Sequence, residues 1–144
     1  MFKTGAVVLA SIVLAACAPT APATTAMDVD AKRFETAPGT GAVYVLRGSD
    51  SAFLTGLELK LDGAPLAWLG RRDYVRIDSP PGRRRITCGE GDTLYLADVA
   101  AGQTLFVEAI IQVGWMTPRC SLVPLDDLNG RERVMMGTRV ATPG

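Results

Sequence analysis

The chain has 144 residues, room for one domain with a single core and no second one of any size. Its 15 basic residues balance its 15 acidic ones, which excludes nucleic-acid binding driven by bulk charge. It contains no histidine, and with histidine go the ordinary general base near neutral pH, the Ser-His and Cys-His nucleophile pairs and most zinc sites.

Met1 to Thr4 carries one positive charge, Lys3, and Gly5 to Leu14 is an apolar run without a charge. Leu14-Ala15-Ala16-Cys17 follows, completing the layout of a secretory signal. The run is too short to cross a bilayer, which takes about 20 apolar residues. The next most apolar stretch, Leu105 to Met116, contains Glu108 and Gln112. Leu-Ala-Ala-Cys resembles the bacterial lipobox at all four positions. That resemblance implies cleavage between Ala16 and Cys17 by lipoprotein processing machinery, a diacylglyceryl group on the Cys17 thiol, and a further acyl chain such as palmitate on the new amine. The alternative is an unmodified cysteine in the tail of a signal. One acyl chain is a marginal anchor, whereas several hold stably. Ala18 stands where lipoproteins kept at the inner membrane often carry Asp, so the resemblance implies sorting to the periplasmic face of an outer membrane.

Ala18 to Ala26 is small, Pro/Thr-rich and free of aromatics, the composition of a disordered tether. Met27 to Phe34 predicts at most a helical turn, closed by breakers at Ala37 to Gly41. From Ala42 the pattern is that of strands. Ala42–Arg47 is β-branched and aromatic, and Leu57–Asp62 alternates so that its leucines share a face. Asp62-Gly63 is a hairpin signal, since both central residues of a type I′ turn need positive φ. Pro65–Leu69, Tyr74–Ile77, Arg83–Cys88, Thr93–Val99, Gln103–Val113 and Pro118–Val123 read as further strands. The turns between them include Pro81-Gly82, Gly89 to Asp92 and Ala101-Gly102. Leu125–Met136 predicts a short helix capped by Asp126 or Asp127, although Gly130 speaks against it. The predicted fold is all-β: a small antiparallel β-sandwich of seven to eight strands with a C-terminal helix. The predicted organisation is signal peptide 1–16, lipidated cysteine and flexible tether 17–41, sandwich 42–136 and tail 137–144.

Val43-Tyr44-Val45-x-Arg47, Leu61-Asp62-Gly63, Gly70…Tyr74, Pro81-Gly82 and Ala101-Gly102 before Leu105-Phe106-Val107 occur in order. This set resembles an uncharacterised bacterial lipoprotein family, domain-of-unknown-function family 2846, and its Asp-Gly…Pro-Gly spacing is similar to the PEGA-type β-sandwich module. The resemblance implies a small sandwich and no known catalysis.

Cys88 and Cys120 form an even pair in a chain with a secretory signal, which points to a disulfide; two separate buried thiols are the alternative. With two soft ligands and no imidazole, a metal site is not expected. Arginine outnumbers lysine by twelve to three. Arg71, Arg72, Arg76, Arg83, Arg84 and Arg85 make a cationic stretch whose planar forks suit phosphate and carboxylate. The bland reading is solvated strand edges protected against aggregation. Trp68, Tyr74, Tyr95 and Trp115 would serve a glycan platform or, more simply, a β core. Glu90, Asp92, Asp126 and Asp127 offer paired carboxylates for glycoside chemistry, or only turns and caps. Ser49, Ser51 and Ser121 have no neighbouring base motif, and there is neither a nucleophile elbow nor a phosphate loop. Three readings follow. The first is a lipid-anchored, non-enzymatic envelope module for protein contact or assembly, without a cofactor beyond its lipid. Next comes a binding module for an anionic glycan or lipid, peptidoglycan or head groups, through the Arg-rich strands. The third is a small carboxylate hydrolase.

Overall fold

Alternating apolar residues build two stacked sheets. The structure, a computed structural model, describes residues 20–48, 56–89, 93–113 and 115–143. Residues 1–16, the predicted signal peptide, lie outside those residues, as do Cys17, Ser49, Ser51, Glu90 and Asp92. The elements are α1 (Thr25–Ala31), β1 (Gly41–Arg47), β2 (Leu57–Leu61), β3 (Ala64–Leu69), β4 (Asp73–Ser79) and β5 (Gly82–Cys88). They continue as β6 (Thr93–Val99), β7 (Thr104–Val113), β8 (Pro118–Leu125), α2 (Asp127–Met135) and β9 (Thr138–Arg139). One sheet has the order β8-β7-β1-β4-β9 and the other β3-β2-β5-β6. The all-β sandwich with its C-terminal helix is therefore observed. Two pairings depart from an antiparallel arrangement: β1 runs parallel to β7, and β4 parallel to β9.

The Asp62-Gly63 hairpin forms as its chemistry demands, with φ of 50° and 85° at the two central residues. Asp62 then reaches across to β5. Its carboxylate accepts from the Arg85 amide at 2.9 Å and from Arg84 Nε at 2.6 Å.

Every residue of β1 is buried. A strand covered on one face alternates; one covered on both reads as a continuous apolar run. Val43 and Val45 face the inter-sheet core with Leu59, Leu69, Val75, Ile86 and Val107. Ala42, Tyr44 and Leu46 face the other way, into a second core with Tyr74, Phe106, Ala31 and Val134. The two helices thus form a third layer over the five-stranded sheet. Helix α2 is capped by Asp126, which accepts from the Asn129 amide at 3.0 Å. Gly130 is buried against Phe106, where a Cβ would lie 2.2 Å from the ring. The glycine that weakens the helix on propensity is what lets it approach the sheet.

Residues 20–40 do not form a free tether. The Thr20 amide donates to the Trp68 carbonyl at 2.8 Å, Pro22 bridges Val140, and the Ala23 amide donates to the Arg139 carbonyl at 2.9 Å. Thr24 caps α1, and Tyr44 donates its hydroxyl to the Ala31 carbonyl at 2.7 Å. Nor is 137–144 a loose tail: Thr138–Arg139 pairs with β4, and Val140 is buried. Composition misleads here because the partners that hold the segment, Tyr44, Tyr74 and Trp68, come from other parts of the chain. Asp28 is the hub of this attachment. It accepts from Lys32 Nζ at 2.7 Å, the Tyr74 hydroxyl at 2.8 Å and the Arg139 amide at 2.8 Å. Burial opposes its ionisation, but these donors outweigh burial and hold the carboxyl below the ordinary aspartate value.

Cys88 and Cys120 are joined by a disulfide with their Cα atoms 5.9 Å apart. The bridge ties β5 of one sheet to β8 of the other.

Candidate functional site

At the end of the sandwich where β1 stops, a cavity of about 250 Å³ opens between that strand, the β3–β4 turn and the end of α2. Arg47, Gly48, Arg72, Tyr74, Arg133 and Met136 line it. By strand alternation Arg47 shares its face with Val43 and Val45, so it is buried, and its Nη1 donates to the Leu69 carbonyl at 2.8 Å. Burial, followed by repulsion from Arg71, pushes its guanidinium below the ordinary arginine value, with Asp73 opposing. Asp73 itself is pushed up by burial, against the pull of the Gly70 amide and Arg47. Its Oδ2 accepts from that amide at 2.7 Å and shapes the turn.

Arg72 sits in this turn with φ of 61°, the left-handed region that non-glycine residues seldom enter. The conformation hands its carbonyl to the Thr138 amide at 3.0 Å and leaves its side chain exposed at the cavity. Arg133 reaches from α2 to an ion pair with the buried Glu108 of β7. Gly48 allows this pair: a Cβ there would lie 2.7 Å from Glu108 Oε1. Of the three arginines in the lining, Arg47 is buried on the Leu69 carbonyl and Arg133 is paired with Glu108, while Arg72 is exposed. Guanidinium forks suit carboxylate and phosphate oxygens. The volume is below the roughly 300–1,000 Å³ of drug-sized sites, so it fits a small anionic group.

The structure does not bring the six predicted arginines together. Arg71 and Arg72 lie at the β1-terminus end. Arg83, Arg84 and Arg85 lie at the opposite end, where Arg84 is held by Asp62 and by the Ser79 hydroxyl at 3.0 Å. Arg76 is buried under the helical layer. It bonds the Glu35 carbonyl at 2.6 Å and Asp78 at 2.8 Å, and stands 5.7 Å over the Tyr44 ring. Period-two alternation and strand reversal distribute neighbours in sequence over two faces and two ends. Arg83–Arg85 also lie on an inner strand of their sheet, not on an edge.

The four aromatic candidates disperse as well. Tyr74 belongs to the second core, where its ring centroid is 6.0 Å from that of Tyr44, and Tyr95 packs on the inter-sheet core. Trp68 lies beside Thr20, and Trp115 stands out at the tip of the β7–β8 hairpin. Of the acidic candidates, Asp126 caps α2 and Asp127 pairs with Arg131 at 2.8 Å. No group of three or more metal-ligating side chains occurs among the described residues. Sequence reading missed Arg47 and Arg133. The alternation of Arg47 with two core valines was the available signal; Arg133 had none. In comparisons with known proteins the chain matches no family model, no curated protein and no solved structure.

Proposed function

We propose that the protein is a lipid-anchored, non-catalytic binding module of the bacterial envelope, whose ligand is a small anionic group met by the exposed Arg72 at the cavity that Arg47 and Arg133 also line. One observation carries the ligand class: an exposed arginine, Arg72, at a small cavity that Arg47 and Arg133 also line. The anchor rests on the Leu14–Cys17 signature. The Cys88–Cys120 bridge suits an oxidising compartment such as the periplasm. A role without catalysis is supported by Asp126 and Asp127, the two candidate carboxylates among the described residues, which serve as a helix cap and in an ion pair. Peptidoglycan carboxylates and head-group phosphates share the required chemistry.

Calorimetric titration with soluble peptidoglycan fragments, and separately with inorganic phosphate, tells these sources apart. Binding in either arm is expected to weaken as salt rises. The Arg72→Gln variant, altered at an exposed side chain, is expected to lose about tenfold or more in affinity, from a charged hydrogen bond of roughly 1.5–3 kcal/mol. Absence of saturable binding in both arms at low salt refutes the ligand class.

A further inference from the structure

We infer that the ligand of the cavity at the end of β1 is a monocarboxylate carrying a short apolar group, whose carboxylate meets Arg72 and whose hydrocarbon lies on Met136. The inference deepens the reading of this cavity as an anion site and rests on it.

Charge sets the head group. Two of the three lining guanidinium groups already have a carboxylate near them: Arg133 is paired with Glu108, and Asp73 attracts the charge on Arg47. The exposed Arg72 side chain makes no hydrogen bond or ion pair with the described residues. Its backbone is nevertheless fixed. The Thr138 amide holds its carbonyl, and Asp73 Oδ2 on the Gly70 amide shapes the turn that keeps its φ at 61°. Strained conformations of this kind persist where the surrounding structure imposes them, and they gather at ligand sites. One uncompensated fork balances one negative charge and matches a carboxylate through two parallel hydrogen bonds. A doubly charged phosphate would bring more charge than the fork offsets.

The rest of the lining sets the tail. Met136, the C-cap of α2, is 63% exposed and lines the cavity. Its unbranched thioether adapts to the shape of what it covers. Leu46 and Tyr74, both buried, are the other apolar residues of the lining. The Tyr74 hydroxyl is engaged by Asp28 at 2.8 Å, so it is not offered to a ligand. Gly48 contributes no side chain and takes no room. A dry cavity of about 150 Å³ admits benzene. At about 250 Å³, this one has space for a carboxylate beside a hydrocarbon group of that size. Inorganic phosphate has no carbon to bury on Met136, whereas an apolar tail gains by leaving water there. Free short-chain acids and the C-terminal end of a peptide share this chemistry.

The test is a titration of the full-length protein, followed by nuclear magnetic resonance at the Arg72 Nε–H and the Met136 methyl group. Its arms are acetate, butyrate, hexanoate, N-acetyl-alanyl-alanine and inorganic phosphate. Affinity is expected to rise from acetate to hexanoate by about fourfold for each methylene that reaches the apolar wall, with both signals shifting together. Met136→Gln, altered at an exposed side chain, is expected to shrink the preference for hexanoate over acetate several-fold, and Arg72→Gln to weaken every arm. Tighter binding of the dipeptide than of butyrate identifies a peptide end as the source, and the reverse identifies a free acid. Three outcomes overturn the inference while the anion site stands: phosphate that binds as tightly as hexanoate, hexanoate that binds no better than acetate, or a preference for hexanoate that Met136→Gln leaves unchanged. No saturable shift at Arg72 in any arm refutes the anion site, and this inference with it.

Discussion

Single residues here are governed by what faces them, not by their type. Gly130 is the clearest case. Replacing it with alanine gains about 1 kcal/mol of helix propensity. The new methyl would meet the buried Phe106 ring at 2.2 Å, and such overpacking typically costs about 1–3 kcal/mol. Phe106 is enclosed by Tyr44 and Phe34, so it has little room to swing away. Gly130→Ala is therefore expected to lower the urea midpoint, and an unchanged or raised midpoint contradicts the close approach. Asp28 makes a second case, with pH as the lever. Its carboxyl is held below the ordinary aspartate value when folded. The stability it contributes is thus present above the unfolded pKa of about 4 and is lost as pH falls through the lower folded value. Thermal melts should show stability rising with pH across this acid window, with a shallower rise in Asp28→Asn. At neutral pH that variant is expected to lose about 1.5–3 kcal/mol, the range for charged hydrogen bonds. An equal slope in both proteins rejects the assignment.

Among the elements, the N-terminal helix and the last strand act together. Helix α1 has seven residues, too few to hold its shape alone. It is kept by the Tyr44 and Tyr74 hydroxyls and by β9, itself two residues long. The other cross-link between distant elements is covalent. Cys88 and Cys120 close a loop with a sequence separation of 32. On the chain-entropy model, that closure contributes roughly 3–4 kcal/mol by restricting the unfolded chain. The Cys88→Ala/Cys120→Ala variant is expected to lose about that much in urea denaturation. A loss within error of zero means that the two sheets hold each other without the bridge.

At the scale of the molecule, the five-stranded sheet is the middle of three layers. Its central strand β1 is buried throughout, with valines toward the second sheet and Tyr44 toward the helices. This layering makes the two ends of the sandwich chemically different. One end holds the Arg47–Arg72–Arg133 cavity and the exposed hairpin tip. At the other, Arg84 donates to both Asp62 and Ser79.

The strands, the Asp62-Gly63 hairpin and the Asp126 cap were legible in the sequence because each depends on neighbours a few residues away. Alternation, positive φ and a side chain reaching its own helix amide are local physics. The third layer, the attachment of residues 20–40 and the cavity were decided by the tertiary structure. Tyr44 could be read as a strand residue, but nothing near it in sequence says that Ala31 covers it. Arg71 and Arg72 are eleven or more residues from Arg83 to Arg85, and strand reversal carries the two groups to opposite ends. Arg133 reaches Glu108 across 25 positions because a glycine lets α2 close on β7. Contacts between residues distant along the chain exist only after the sheets have stacked, and the cavity is made of such contacts.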